Sequence, residues 1–425
     1  VGAQRAAQMR EERMIEMTSG IPKSDPALVP PPGLPILDLD PFDYAYFDNP
    51  YPHHAIMREA APLFWLSRYN CIGTGRYDLV VEVLKDWERF TSARGVGLVD
   101  YAKDERFRPQ SMILEADPPV HTRTRSAMMK VLSPRVMRGL RKHFENVADE
   151  LIDELLDREV FDGIPDLAER FPLTVFPDSL GMKREGRENL LPVGDLVFNS
   201  FGPENEIFLK SKPLAEKGFA WLEMQCRREN LAPTGFGKAM FDLVDEGHLV
   251  EREGEVMVRA MLMAGVDTTV NGIGGGIYSL AKAPDQYAKL AENPDLARDA
   301  FEEAVRWISP AQAFFRTVSQ DTELAGVHLA EGTKIFLVLS SANRDPRKWE
   351  NPDRYDITRK AIGHVGFGHG IHMCVGQNLA RLEGEIILAT IARKAKSLEL
   401  IGPAKLRYNN TLRGFASLPL RIKAK

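Results

Sequence analysis

Cysteine is scarce in this chain, whose 425 residues include only Cys71, Cys226 and Cys374. A sparse, odd set without a Cys-x-x-Cys pair excludes a disulfide framework and suits a reducing compartment, so we expect a cytoplasmic protein. A large excess of one charge is also lacking, because the chain has 55 basic and 60 acidic residues. A general nucleic-acid binder is strongly basic, so we expect no nucleic-acid partner.

Long apolar runs are missing too. No stretch reaches the roughly 18 residues that cross a bilayer, and residues 1–25 are polar and charged, unlike a secretory signal. Residues 26–35 are rich in proline, which favours extended backbone. We therefore expect no membrane association, an N-terminal extension over residues 1–37 and a single domain over residues 38–425.

Helical periodicity dominates the rest of the chain. Ser133 followed by Pro134 is typical of a helix start, and apolar residues then recur at helical spacing. Strand patterns are short, so the sequence predicts a mainly α-helical protein with small β-sheets. Helices are expected from Pro134, over 255–280 with interruptions at Gly265 and at Gly272 to Gly276, over 295–307 and over 377–394; strands are expected at 64–66, 335–339 and 418–422.

The most informative motif is a glycine-spaced loop around one cysteine, FGHGIHMCVG at residues 367–376. Gly370 and Gly376 are expected to let backbone approach Cys374 closely. Amides of the loop and the positive end of the helix predicted after it favour a thiolate. A thiolate in such a loop is a metal ligand or a nucleophile. The alternative is a buried structural cysteine.

This loop resembles the haem-ligand loop of the cytochromes P450, including the histidine two positions before the cysteine found in bacterial members. The resemblance covers nearly everything after residue 38. It implies a P450 fold with haem b between a long distal helix and the cysteine loop, and a soluble, bacterial-type monooxygenase that uses O2. In the family the cysteine thiolate is the axial ligand of the haem iron. The positions that match this loop are Phe367, Gly370, Cys374 and Gly376.

Asp267 and Thr268 fall inside a predicted helix, in the run Ala264 to Thr269. Taken alone, the Thr268 hydroxyl is expected to bond back to the carbonyl four residues earlier, and Asp267 to lie on a solvated face. The run also resembles the acid–alcohol pair of the P450 family. The resemblance implies that both residues are catalytic, with Thr268 holding the reacting oxygen and Asp267 relaying protons from solvent.

Two further sets of residues match P450 motifs. Glu303 and Arg306 are spaced i, i+3 on one helical face and match a buried structural pair that braces the region of the cysteine loop. Four basic residues match positions that bind the haem propionates, a task suited to arginine forks. These four are His121, Arg125, Arg316 and His372.

Residues 186–192, 268–274 and 409–414 resemble one bacterial P450 subgroup, which oxidises para-substituted benzoates. The resemblance implies O-demethylation of para-methoxybenzoate, or a close analogue, to para-hydroxybenzoate and formaldehyde in aromatic catabolism. Ala260 stands where the subgroup has a carboxylate-binding serine, and Ala311 where it has a pocket valine. The matching carboxylate-binding positions are Arg108, Ser111 and Arg259; the pocket positions are Leu114, Val197, Phe198, Phe201, Ala264, Ala311, Phe314 and Leu412.

Motifs for binding nucleotide or flavin are lacking, since Gly272 to Gly276 is without the third glycine of a dinucleotide fingerprint. The resemblance therefore implies a ferredoxin with its reductase as electron donor. The basic cluster Arg135, Arg138, Arg141 and Lys142 is a candidate docking site or a solvated helix face. The alternatives are a P450 that acts on another small aromatic, a fatty acid or a terpene, a peroxygenase, and a non-catalytic haem protein such as a gas sensor.

Overall fold

The computed structural model describes residues 29–425. The polar extension expected over residues 1–25 lies outside the described residues. About 53% of these described residues are helical, with small sheets beside the helices. The predicted mainly α architecture is confirmed. Within residues 29–425, no helix is long and apolar enough to cross a membrane.

Helices supply most of the elements. In chain order the α-helices are α1 (Tyr44–Asp48), α2 (Tyr51–Ala60), α3 (Tyr77–Lys85), α4 (Val120–Val131), α5 (Pro134–Arg158), α6 (Arg170–Leu180), α7 (Leu190–Asn199), α8 (Glu206–Gln225), α9 (Phe236–Asp245), α10 (Glu251–Gly265), α11 (Asp267–Lys282), α12 (Pro284–Glu292), α13 (Ala297–Ile308), α14 (Leu339–Ala342) and α15 (Gln377–Lys394).

The strands form one larger sheet and three small ones. They are β1 (Ile36–Leu37), β2 (Phe64–Leu66), β3 (Cys71–Thr74), β4 (Phe90–Thr91), β5 (Val160–Asp162), β6 (Phe314–Val318), β7 (Thr322–Leu324), β8 (Val327–Leu329), β9 (Lys334–Leu337), β10 (Ala395–Leu400), β11 (Lys405–Arg407), β12 (Gly414–Ser417) and β13 (Pro419–Ala424). The larger sheet has the order β1-β2-β3-β9-β6-β4, and the others are β10-β13-β5, β11-β12 and β7-β8.

Several predicted elements coincide with observed ones. α5 starts at Pro134 with Ser133 as its N-cap, and α15 and β2 have the predicted bounds. β9 and β13 lie within two residues of the predicted strands. Ile36 of β1 pairs with Trp65 of β2. The larger sheet therefore begins two residues before the expected domain start at residue 38.

The interruption predicted at Gly265 within the helical stretch 255–280 is confirmed, because α10 ends at Gly265 and α11 begins after Val266. The hydroxyl of Thr269 donates to the Gly265 carbonyl at 2.8 Å, which bends a helix at such a point. The predicted interruption at Gly272 to Gly276 is wrong, since this run lies inside α11. These glycines give close helix packing instead: a Cβ on Gly275 would lie 3.2 Å from the Ile308 side chain of α13.

α11 is the central helix, and nearly all of its residues are buried. It packs against α13 and α15 and against strands β10 and β12. α15 begins immediately after the cysteine loop. The packing of α11 and α15 therefore links the segment that carries Asp267 and Thr268 to the segment that follows Cys374.

Candidate active site

The cysteine loop folds against the end of α3. Gly368 and Gly370 have φ angles of +70° and +68°, a region that favours glycine. The Cys374 backbone N–H donates to the Phe367 carbonyl at 2.8 Å. A Cβ on Gly370 would collide with the Leu84 carbonyl oxygen. Gly370 is thus required by its backbone angle and by α3, and not by an approach to the cysteine as the sequence suggested.

Cys374 lies one turn before α15, and the N–H groups of Gly376 and Gln377 are directed at its sulfur. Burial raises the pKa of the Cys374 thiol, while these amides and the charges of Arg125 and Arg381 act to lower it. The loop amides and the nearby cations thus act in the predicted direction, towards a thiolate, and burial opposes them. A Cβ on Gly376 would lie 3.9 Å from the sulfur, so this glycine is not needed for space.

Two imidazoles meet beside the cysteine loop. The rings of His121 and His372 are 4.4 Å apart, and His372 Nε2 lies 3.4 Å from Asp117 Oδ1. His121 Nε2 and His372 Nδ1 are buried without a hydrogen-bond partner among the described residues. Burial, helped by the charges of His372 and Arg125, lowers the pKa of His121 to about 4. Two buried polar nitrogens thus lack the partners that such groups require.

Two arginines add positive charge to the same region. Arg316 is 5% exposed and donates to the neighbouring Phe315 carbonyl. Burial lowers the pKa of Arg316 to about 10. Arg125 is half-buried, and its charge acts on His121, as that of Arg316 acts on His372. The four predicted propionate-binding residues are therefore brought together.

The break between α10 and α11 leaves an opening at small side chains. Ala264 is exposed although Leu262 and Val266 on either side are buried. Thr268 is half-buried, and its hydroxyl donates to the Ala264 carbonyl at 2.7 Å, as expected from the sequence alone. A ligand therefore has access to helix backbone at this point.

Asp267 is 2% exposed, so the solvated face considered for it is wrong. Its Oδ1 has no hydrogen-bond partner among residues 29–425 and lies 3.8 Å from Arg407 Nη1. Burial raises the pKa of Asp267 to about 7, against the opposing charge of Arg407. A carboxyl group with such a pKa exchanges protons readily at neutral pH.

Glu303 and Arg306 form a fully buried ion pair on α13, with Arg306 Nε 2.7 Å from Glu303 Oε2. Arg306 also donates to the carbonyls of Asn343 and Pro352, at 2.7 and 2.9 Å. The pair thus ties α13 to the segment before the cysteine loop. Removing one partner of such a pair costs about 3–5 kcal/mol.

Most of the predicted substrate-pocket residues lie in one apolar cluster. The rings of Phe198 and Phe201 are 5.8 Å apart, and those of Phe201 and Phe314 are 5.9 Å apart. Ala311 pairs with Leu412 through an isolated β-bridge. The predicted residues in or against this cluster are Leu114, Val197, Phe198, Phe201, Ala311, Phe314 and Leu412.

Three members of this cluster were missed by the sequence: Val96, Phe219 and Met263. Val96 lies between Gly95 and Gly97, in a segment without helical or strand periodicity. Met263 directly precedes Ala264 in α10, so its place beside the pocket was open to inference from the predicted helix. Phe219 gave no comparable pattern.

The buried carboxylate of Glu115 already accepts hydrogen bonds from two of the predicted carboxylate-binding residues, Arg108 and Ser111. Glu115 is fully buried and accepts two hydrogen bonds from Arg108, at 2.8 and 2.9 Å. It also accepts from the Ser111 backbone N–H at 3.0 Å and from the Tyr101 hydroxyl at 2.7 Å. Arg108 lies 5.0 Å over the Phe201 ring, and its charge is already paired. The sequence did not reveal Glu115.

Arg259, unlike Arg108, is not paired with a carboxylate among the residues that the structure describes. It is half-buried on α10, one helical turn before Met263 of the apolar cluster. It makes no ion pair or side-chain hydrogen bond with the residues that the structure describes. The Ser111 hydroxyl accepts from the Leu114 N–H at 3.1 Å, which leaves its own hydrogen free to donate.

Comparison with known proteins gives consistent results. A family model described as cytochrome P450 matches residues 236–423. Cytochrome P450 CYP199A2 of Rhodopseudomonas palustris is 54% identical over 391 residues, covering 92% of this chain and 95% of the relative. The solved structure of cytochrome P450epoK with epothilone D has a TM-score of 0.80 at 26% identity, covering 92% and 100% of the two chains. Cytochrome P450 CREJ, solved with (4-ethylphenyl) dihydrogen phosphate, has a TM-score of 0.80 at 25% identity, covering 90% and 99%.

The chain belongs to the cytochrome P450 family. It is a cytochrome P450 monooxygenase, its cofactor is haem b, and its similarity to CYP199A2 places it with a bacterial member of the family. The family, fold, enzyme class and cofactor predicted from the sequence are thus confirmed.

The residues at the site fit haem b. Every residue from 366 to 377 is half-buried, although Val365 before them is buried, so the cysteine loop faces open space. Two orphaned imidazole nitrogens and two arginines offer donors for two propionates. A single thiol at the start of a helix offers one axial ligand.

Proposed function

We propose that this P450 O-demethylates para-methoxybenzoate, or a close para-substituted benzoate, to para-hydroxybenzoate and formaldehyde. The observation that carries the proposal is the cluster of Phe198, Phe201 and Phe314, which has the unpaired Arg259 one helical turn from its edge. Three rings suit a flat aromatic substrate. A carboxylate at one end of that ring needs a partner when it is buried, and Arg259 is free to supply it.

A solved relative supports this substrate class. CREJ holds a para-ethylphenyl phosphate, which is likewise a para-substituted ring with an anion at one end. In this chain the anion is held by Arg259 and the Ser111 hydroxyl. Arg108 closes the pocket from above Phe201 and contributes little net charge, because Glu115 neutralises it.

The haem is held by this chain's own groups. The Cys374 sulfur would ligate the iron, and the two propionates would be bound by His121, Arg125, Arg316 and His372. Haem bound by these residues would supply O2 activation and the insertion of one oxygen atom into a C–H bond of the methoxy group. The resulting hemiacetal collapses to the phenol and formaldehyde.

Protons reach the site through Asp267 and Thr268. One methoxybenzoate, one O2, two electrons and two protons give one hydroxybenzoate, one formaldehyde and one water. Asp267, with a pKa near 7, gives up a proton at Oδ1 and takes another from solvent past Arg407. The Thr268 hydroxyl holds the reacting oxygen beside the Ala264 carbonyl.

The electrons come from a ferredoxin and its reductase in the cytoplasm. Arg135, Arg138 and Lys142 are exposed on α5 and make no ion pairs with described residues, whereas Arg141 pairs with Glu385 at 2.8 Å. Three unpaired cations on one helix attract an acidic partner, at a rate that falls as salt rises.

The proposal is tested with the purified holoenzyme, a ferredoxin, its reductase and NADH. Formaldehyde and para-hydroxybenzoate should form in equal amounts from para-methoxybenzoate. Oxidation of para-methoxytoluene without oxidation of the acid would contradict the proposal. That result would favour the second candidate, a P450 for another small aromatic, which the neutralisation of Arg108 by Glu115 supports.

A further inference from the structure

A buried ammonium group lies in a ring of backbone carbonyls. Lys334, at the start of β9, is only 9% exposed. Its three N–H groups are shared among four carbonyl oxygens within hydrogen-bond distance of Nζ: Val99 at 2.9 Å, Arg94 and Gly97 at 3.2 Å, and Gly95 at 3.3 Å. All four belong to one short segment, residues 94–99.

The Lys334 ammonium group supplies the hydrogen-bond donors that these buried carbonyls require. Within residues 29–425, the oxygens of Gly95, Gly97 and Val99 accept hydrogen bonds from Lys334 alone, and both glycines are buried. Buried carbonyls without a donor are costly. Lys334 therefore holds a segment that has no regular secondary structure of its own.

The same segment forms a wall of the proposed substrate pocket. Val96 is part of the apolar cluster, and its carbonyl accepts from the Phe315 N–H at 2.8 Å. The Leu98 N–H donates to the Phe201 carbonyl at 2.8 Å. A Cβ on Gly97 would lie 2.6 Å from that same oxygen. The path of residues 94–99 thus fixes Phe201, and it fixes Phe314 through its neighbour Phe315.

The ring has the chemistry of a site for a monovalent cation. Backbone carbonyls replace the hydration shell of such ions when several converge on one point. Burial lowers the pKa of Lys334 to about 8, so the ammonium form predominates at neutral pH. Asp100 lies nearby and is paired with Arg94. The ring therefore holds its cation chiefly through carbonyl dipoles.

We propose that Lys334 is a tethered cation that shapes the substrate pocket, and that the same carbonyl ring binds a free monovalent cation when the lysine side chain is removed. Lys334 is a positioning residue, because it acts on the pocket through residues 94–99. The proposal depends on the pocket geometry and not on which aromatic compound is the substrate.

The test compares the haem-loaded wild type, K334A and K334M in choline chloride, in KCl and in NH4Cl at equal ionic strength. One readout is hydrogen–deuterium exchange of the peptide that contains residues 94–99. The other is the dissociation constant of 4-phenylimidazole, an aromatic iron ligand that is independent of the proposed substrate. K394A is the matched control, because Lys394 pairs with Asp149 and Asp153 on α5, away from this segment.

In choline, K334A should exchange about tenfold faster over residues 94–99 and bind 4-phenylimidazole about tenfold more weakly, the loss expected for one charged hydrogen-bonding group. KCl or NH4Cl should reverse both effects in K334A. Neither salt should change the wild type or K394A. K334M should have the same defect without recovery, because its side chain fills the ring without charge.

Wild-type behaviour of K334M overturns the proposal, since a neutral side chain would then suffice. A K334A defect that is equal in all three salts also overturns it, because the ring would then bind no free cation. If K334A fails to bind haem, the test rests on hydrogen–deuterium exchange in K334M. Faster exchange over residues 94–99 supports the role of the charge, and unchanged exchange overturns the proposal.

Discussion

Arg407 Nη1 lies 3.8 Å from Oδ1 of Asp267, and Arg407 Nη2 lies 2.7 Å from Oε1 of Glu169. The arginine of β11 thus stands between a buried carboxylate of α11 and a second carboxylate nearer the surface. The Asp267 side chain is 2% exposed, whereas that of Arg407 is 29% exposed. Arg407 therefore marks a short polar route from solvent to Asp267.

Replacing Asp267 by asparagine should slow substrate oxidation by about 100-fold, the usual effect of removing a proton-transfer group. Substrate binding should not change, because Asp267 lies outside the apolar cluster. The measurement is product formation at saturating substrate. D195N is the control for a lost neighbouring charge, since Asp195 is half-buried, acts on the charge of Asp267 and bonds to Asn409 at 3.0 Å. Equal rates in D267N and the wild type would remove Asp267 from proton delivery.

Asp267 also predicts a pH dependence of stability. Burial raises its pKa to about 7 in the folded protein, from an ordinary value of 3.8. The folded state therefore binds the proton more tightly, and this group makes the protein less stable as pH rises towards 7. D267N has no carboxyl group at this position and so is free of this loss of stability. The melting temperature of D267N minus that of the wild type should grow between about pH 5 and 7 and level off above it. A flat difference would contradict the raised pKa.

Arg259 and Arg108 should differ in their effect on ligand binding. R259A should weaken para-methoxybenzoate about tenfold or more, because a charged hydrogen bond is lost, and leave neutral para-methoxybenzamide nearly unchanged. R108A should weaken both ligands alike, since Arg108 serves to hold Glu115 in the pocket wall. Dissociation constants for the two ligands check this. Equal losses of acid and amide in R259A would show that Arg259 does not sense the carboxylate.

Gly370 and Gly376 form a matched pair in the cysteine loop. G370A places a Cβ against the Leu84 carbonyl at a φ of +68° and should destabilise the holoenzyme by about 2 kcal/mol or more. G376A meets only the Cys374 sulfur at 3.9 Å and should cost far less. Thermal unfolding and haem content measure both. A larger loss in G376A would contradict the loop geometry described above.

Local patterns predicted the helices well where a contiguous stretch of sequence determines where the helix begins and ends. α15 has its predicted bounds because a helical pattern begins immediately after the glycine of the cysteine loop. The split between α10 and α11 was predicted at Gly265, where α10 ends, whereas the hydroxyl of Thr269 that bonds back to its own helix there was not. The interruption predicted at Gly272 to Gly276 was wrong because these small residues allow tight helix packing and do not form a turn.

Contacts between distant segments could not be predicted from the sequence. Nothing in the local pattern connects Arg407 with Asp267, or Lys334 with residues 94–99, because each pair is separated by more than a hundred positions. Glu115 lies only seven positions from Arg108, yet its burial depends on the whole fold. The cysteine loop was identifiable because its motif is contiguous.

The central claim is tested most directly by titrating the purified ferric holoenzyme with para-methoxybenzoate and with para-methoxybenzamide while following the Soret band. We predict a shift towards the high-spin spectrum with the acid and a much weaker response to the amide, because Arg259 and Ser111 hold a carboxylate. No shift with the acid, or an equal shift with the amide, would contradict a carboxylate-anchored aromatic pocket.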